Sequence, residues 1–93
     1  MIKSFGNKET EKIFQGSVSK KLDDAIQKKA FRKLVQIHVS KDLNDLSIPP
    51  GNRLHMLSGN LKSFHSISIN MQWRIIFRWE GGNAYNVEII DYH

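Results

Sequence analysis

Two hydrophobic rhythms divide the chain. In its front half the apolar residues recur every three or four positions, as on one face of a helix, and from Arg53 onward they alternate with polar ones, as along a strand. The opening Met1–Phe5 (MIKSF) sets Ile2 and Ser4 against Lys3 and Phe5 and predicts a short first strand. Asn7 is placed to cap a short helix carrying Ile13 and Phe14, which Gly16 ends. Ser17 or Ser19 is expected to open a longer helix with Asp23 and Asp24 near its start, where carboxylates suit the helix dipole. Leu22, Ile26, Ala30, Leu34 and Ile37 form its buried stripe, which Phe31 and Val35 widen.

A connector follows, SKDLNDLSIPPGN, in which Ser40 is expected to start one helical turn pinned by Leu43 and Leu46. Pro49-Pro50-Gly51-Asn52 then stops any regular element. Arg53–Leu57 (RLHML) is a strand candidate and Ser58-Gly59-Asn60 a turn. Phe64–Asn70 alternates, with His65, Ile67 and Ile69 on one side and Ser66 and Ser68 on the other. In Trp73–Glu80, Trp73, Ile75, Phe77 and Trp79 face one way while Arg74, Ile76, Arg78 and Glu80 face the other. Gly81-Gly82-Asn83 is a strong hairpin turn before a last strand, Ala84–Tyr92. A helical pair followed by an antiparallel sheet predicts an α+β fold of two layers.

The chain's 93 residues suit one domain. It lacks cysteine, which removes disulfides, thiolate catalysis and cysteine-based zinc sites. None of its histidines (His38, His55, His65, His93) lies in a metal-binding spacing, so neither metal nor cofactor is expected. The start carries no apolar run of the kind a signal peptide needs, and no stretch reaches the ~18 residues of a membrane span, so a cytoplasmic protein is expected. The formal net charge is +5, with most of the excess in the front half, where Lys20, Lys21, Lys28, Lys29, Arg32 and Lys33 lie around the predicted long helix. Such a surface is either a solvated helix face or a site that attracts a polyanion.

The back half holds the candidate chemistry. Arg74 and Arg78 either pair with cross-strand Glu88 or Glu80, or clamp phosphate, which a guanidinium matches bidentately. His55 is either an ordinary strand histidine or a proton carrier. A hairpin across Gly81-Gly82 brings Trp73-Arg74 alongside Asp91-Tyr92-His93, which gathers a guanidinium, a carboxylate, a phenol and an imidazole near one sheet edge. Cleaving RNA without a metal needs such a set: a base for the 2′-hydroxyl proton, a cation for the phosphorane and an acid for the departing 5′-oxygen.

Three segments, RLHMLSGN, SISINMQWRIIF and the terminal VEIIDYH, together with the opening MIKSF, resemble the HigB toxins of bacterial toxin–antitoxin pairs, within the RelE/ParE-like superfamily. The resemblance spans essentially the whole chain. It implies two N-terminal helices backing a curved, mainly antiparallel sheet in a single RelE-like domain. It also implies an endoribonuclease that cuts messenger RNA on the 70S ribosome and is neutralised by a HigA-like helix-turn-helix antitoxin, with operator DNA reached only through the antitoxin complex. By position, His55, Arg74, Asp91, Tyr92 and His93 match the family's catalytic residues, with Arg53, Lys62, Arg78 and the long helix's cations as RNA contacts. The chain departs from some members where they place a lysine three residues after the histidine, here Ser58, and an arginine on the strand before WR, here Ser68-Ile69-Asn70. Both changes remove cations that hold phosphate, so cleavage is expected to be weak, slow or reliant on other basic residues, with Lys62 the nearest substitute. Two rival readings are a superfamily toxin that acts on DNA gyrase and a non-catalytic RNA-binding regulator.

Overall fold

A computed structural model describes residues 1–91 of the chain. Two helices, α1 (Lys8–Phe14) and α2 (Asp24–Val39), cover one face of a four-stranded antiparallel meander. The strands are β1 (His55–Met56), β2 (His65–Ser68), β3 (Trp73–Glu80) and β4 (Asn83–Asp91), paired in the order β1-β2-β3-β4. The opening segment lies along β4 in parallel, through bridges from Ile2 to Ala84 and from Phe5 to Val87. The sheet is therefore mainly antiparallel with one parallel border.

α1 begins where the sequence places it, because the Asn7 side chain accepts the Thr10 amide at 2.9 Å. α2 begins later than expected. Its cap is Asp23, whose carboxylate accepts the Ile26 amide at 2.9 Å, and neither Ser17 nor Ser19 starts the helix. Ser19 is held instead by Gln27, which accepts the Ser19 amide at 2.7 Å and donates to the carbonyls of Ser19 and Leu22 at 2.8 and 2.7 Å. Lys20 and Lys21 consequently sit in a loop before the helix. Ser40 also differs from expectation: it closes α2, its hydroxyl donating to the Gln36 carbonyl at 2.7 Å. The turn after it, Leu43–Ser47, is a 3-10 helix that Asp42 and Asp45 close as a capping box.

The core lies between the layers. Ala30, Leu34 and Ile37 of α2 meet Ile67, Ile75, Phe77 and Val87 of the sheet, all with no exposed surface. Each such aliphatic or aromatic side chain contributes roughly 1.5–3 kcal/mol by leaving water. Phe31 and Val35, expected to widen the buried stripe, are exposed at 39% and 36%. α1 is tied to the sheet by buried Thr10, whose hydroxyl accepts the Ile89 amide at 2.9 Å. Two histidines are spent on this framework. Nδ1 of His38 accepts the Ile2 amide at 3.1 Å while its ring packs on Phe14, and His65 stacks near Phe77.

The hairpin between β3 and β4 sets the geometry of everything beyond it. Gly81 and Gly82 take φ of +57° and +81°, as the two-residue turn that best matches strand twist requires, and Glu80 pairs with Asn83. A bulge then interrupts β4: Ile76 pairs with Glu88 but Arg78 with Tyr85, so Asn86 and Val87 together face Phe77. Asn86 adopts φ +54°, and the Ser4 hydroxyl accepts its amide at 2.8 Å. The extra residue lets Ala84, Val87 and Ile89 all reach the core side, a spacing that strict alternation forbids.

Candidate active site

The sheet face turned away from the helices is the polar one. Residues directly opposite in an antiparallel pair share a face, and the register gives two rows there. His55, Ser66, Ile76 and Glu88 form one row, and Ser68, Arg74 and Ile90 the next. Arg74 reaches diagonally from its row to the other, donating from Nη1 to the Ser66 hydroxyl at 3.3 Å. Ser66 is fully buried beneath it. His55 stands directly across from Ser66 on β1, so imidazole and guanidinium flank the same serine.

The orientation of His55 follows from its local bonds. The main chain passes through Arg53 at φ +49° after the Pro50–Asn52 turn, which aims the Arg53 carbonyl back at the ring. Nδ1 of His55 lies 2.8 Å from that carbonyl. A carbonyl only accepts, so Nδ1 carries the hydrogen and Nε2 is the nitrogen that can take or give a proton. The ring itself is exposed.

Asp91 comes to the same end of the hairpin but to another face. It pairs with Trp73, while Arg74 pairs with Ile90. Had the Gly81-Gly82 turn run into an unbulged ladder, Arg74 would oppose Ile89 and Asp91 would share the guanidinium's face. The single extra residue at Asn86-Val87 shifts the register by one and turns Asp91 to the Trp73 side. There the exposed carboxylate accepts from Nε2 of Gln72 at 3.2 Å. Tyr92 and His93, expected beside Arg74, lie outside the described residues.

The expected RNA contacts divide between the two sides of the molecule. Arg78 is on the open face, exposed, with Nη2 3.7 Å from Oε1 of Glu80, which is the pairing weighed from the sequence. Arg53 precedes β1, and Lys62 is exposed in the loop between β1 and β2. Lys28, Lys29 and Arg32 are exposed on α2, and Lys20 and Lys21 on the loop before it, in the layer behind the sheet and away from His55 and Arg74. Lys33 is half-buried and bonded through Nζ to Oδ1 of Asn52. Burial, and secondarily the charge of Lys29, lowers its pKa from the usual lysine value. Asn52, wholly buried, donates in turn to Gln36, Leu46 and Ile48 at 3.1, 3.0 and 3.3 Å, so Lys33 belongs to the lock that holds the proline turn on α2.

Sequence reasoning did not single out Ser66 or Gln72. Ser66 lies on the arginine side of its strand by simple alternation, so its face was legible; its contact depends on the β2–β3 register, which was not. Gln72 lies just before β3 and meets Asp91 at the open end of the hairpin.

A family model described as the RelE-like toxin of the type II toxin–antitoxin system HigB matches residues 3–93. The chain belongs to the HigB-like toxin family. It is 39% identical over 87 residues to the toxin HigB-1 of Vibrio cholerae, covering 92% of each chain, and 29% identical over the full length of both chains to the endoribonuclease HigB of Proteus vulgaris. Its fold is also that of the YafQ crystal structure from Escherichia coli, with a TM-score of 0.60 at 16% identity over 98% of this chain and 91% of that one. As a HigB-like type II toxin it has an antitoxin as partner. No helix among the described residues is long and apolar enough to cross a membrane.

Proposed function

We propose that this HigB-like toxin is an endoribonuclease that cuts messenger RNA held in the ribosome, using the open sheet face. The ribonuclease reading is supported by the family and by the name of the Proteus vulgaris relative. The observation that carries its placement is the convergence of His55 and Arg74 on Ser66.

In this reaction the 2′-oxygen attacks phosphorus, the phosphorus–O5′ bond breaks, and a 2′,3′-cyclic phosphate and a 5′-hydroxyl result. Arg74 stabilises the negative charge that builds on the non-bridging oxygens of the phosphorane. His55, with Nε2 presented, carries one of the two protons: as neutral imidazole it takes the 2′-hydroxyl proton, and as imidazolium it delivers one to O5′. Because Asp91 faces the Trp73 side, the other proton carrier is assigned to His93 of the terminal segment, and Tyr92 to a stacking or phosphate contact. The acid and base labels interchange without changing the demand for two proton carriers around one cation. Arg53, Arg78 and Lys62 hold flanking phosphates, positioning the strand without reading its bases. They stand in for the cations that Ser58 and the Ser68-Ile69-Asn70 segment lack.

The test is primer extension on ribosomes programmed with a defined message. Arg74→Ala is expected to lower the rate of new 5′-end formation about 10²–10³-fold, and His55→Ala by ~10²-fold. Undiminished cleavage by both variants would overturn the assignment. Intact messages combined with blocked supercoiling in a gyrase assay would instead favour a gyrase toxin. In the cell the toxin is expected in the cytoplasm with its ribosomal target, and its helix-turn-helix antitoxin would carry the complex to operator DNA.

A further inference from the structure

A hollow of about 440 Å³ opens on the helix side of the sheet, where α1 and the loop before α2 meet the start of β3. That is room for one nucleotide-sized ligand. Buried Ile13 and Leu22 and half-buried Trp73 and Ile89 give it apolar and aromatic walls. Lys8, Lys12 and Lys21 stand exposed around it. Glu9 is its one acidic side chain among the described residues. The uncharged polar side chains there are already occupied: Asn7 accepts the Thr10 amide, Thr10 the Ile89 amide and Ser19 the Lys21 amide. Glu9 is not. Its Oε2 is the one buried side-chain polar atom without a hydrogen-bond partner among the described residues. Its Oε1 lies 4.0 Å from Nζ of Lys12, too far for a hydrogen bond. The carboxylate thus sits beside an apolar wall without donors. The side chain as a whole is 33% exposed, and a turn about its last bond presents either oxygen to the hollow.

We propose that this hollow binds guanine nucleotides. The donor pattern selects the base. N1–H and the exocyclic N2–H of guanine lie side by side and match the two oxygens of a carboxylate. Adenine and cytosine set one amino group beside a ring acceptor, and uracil sets one N–H between two carbonyls, so each turns a lone pair towards Glu9. A flat base suits the apolar and aromatic walls, as in other pockets that hold an unstacked base. The lysines supply positive charge for phosphate. A lone carboxylate ringed by lysines is no cation site. The nucleotide is either free or an unpaired residue of an RNA. Trp73 pairs with Asp91 and precedes Arg74, so the hollow lies at the same end of the hairpin as the cation of the proposed active site, on the other face. The proposal does not depend on the catalytic assignment.

The experiment titrates the purified toxin with GMP, AMP, CMP and UMP, read by tryptophan fluorescence and by isothermal titration calorimetry. GMP is expected to bind at least about tenfold tighter than AMP. Glu9→Gln keeps the shape of the side chain and turns one acceptor into a donor. It is expected to raise the GMP Kd at least about tenfold and to leave the AMP Kd within about twofold. Lys12→Ala with Lys21→Ala is expected to weaken GMP more than guanosine, which lacks the phosphate. Thermal unfolding followed by circular dichroism verifies that each variant is folded; Glu9→Gln removes no hydrogen bond that holds the fold. Two 2′-O-methyl RNA tetramers, which cannot be cleaved, separate the sources. Displacement of GMP by a tetramer with a single G, and not by its counterpart with A, makes the ligand a nucleotide of RNA. GMP binding that neither tetramer displaces makes it a free nucleotide. No binding of GMP at millimolar concentration, equal affinity for the four nucleotides, equal displacement by the two tetramers, or an unchanged GMP Kd in folded Glu9→Gln overturns the proposal. None of these readings involves cleavage, so the pocket and the nuclease assignment stand or fall separately.

Discussion

Ser66→Ala isolates the serine beneath Arg74. Ser66 is fully buried, so the substitution removes one hydroxyl from a closed site and alters little else. The bond lost is a guanidinium-to-hydroxyl contact at 3.3 Å, long for its type. Charge-assisted bonds contribute about 1.5–3 kcal/mol, and the length places this one near or below the lower bound, at about 1 kcal/mol. Since 1.4 kcal/mol is tenfold in rate, Ser66→Ala is expected to slow cleavage roughly fivefold. The loss is expected in kcat, because in the proposed mechanism the bond orients a group that acts on charge formed in the transition state. A double-mutant cycle makes the claim sharp. If Ser66 acts through Arg74, Ser66→Ala adds almost nothing once Arg74 is already alanine, giving a coupling of about 1 kcal/mol. The assay is single-turnover cleavage of a ribosome-bound message by the four proteins. Additive effects of the two substitutions would show that Ser66 does not work through the guanidinium, and the convergence on which the site was placed would lose its meaning.

Three further outcomes follow from the framework. Asn52→Ala opens the lock between the proline turn and α2, removing donors to Gln36, Leu46 and Ile48 and the acceptor for Lys33. It is expected to cost about 2–4 kcal/mol in urea unfolding, and a loss under ~0.5 kcal/mol would contradict the account. Burial lowers the pKa of His65 below the usual histidine value, so the unfolded chain binds the proton more readily than the folded one. Stability is then full above the ordinary histidine range and declines as pH falls from about 6.5 towards the lower folded value; melting curves of His65→Gln should show a shallower decline in that window. Gly82→Ala places a side chain at φ +81°, with its Cβ 3.3 Å from the Lys41 carbonyl, and is expected to lower stability by about 1–2 kcal/mol in the same unfolding assay.

What the sequence determined by itself was local. Period fixed the type of each main element, because a helix or strand must present one apolar face whatever its neighbour is. Asn7 marked a cap, the paired glycines marked a turn that needs positive φ twice, and alternation put Arg74 and Ser66 on the face away from Ile75 and Phe77. The motifs around His55, Trp73-Arg74 and the carboxyl end were enough for the family. Where α2 starts was not legible, because Ser17, Ser19 and Asp23 are all competent caps and only the packing of Gln27 against Ser19 decides among them. Lys33 carried the same charge as Lys28 and Lys29 in the sequence; burial against Asn52 separated it from them.

Tertiary structure alone decided the face of Asp91. Alternation counts residues along one strand, but the face depends on pairing between two, and a single extra residue reverses it. The need to seat Ala84, Val87 and Ile89 in one core forces that residue at Asn86-Val87, with Ser4 from the far end of the chain accepting the amide it strands. No window of the β4 sequence contains that constraint, since it comes from the helices and opening segment that pack against the strand.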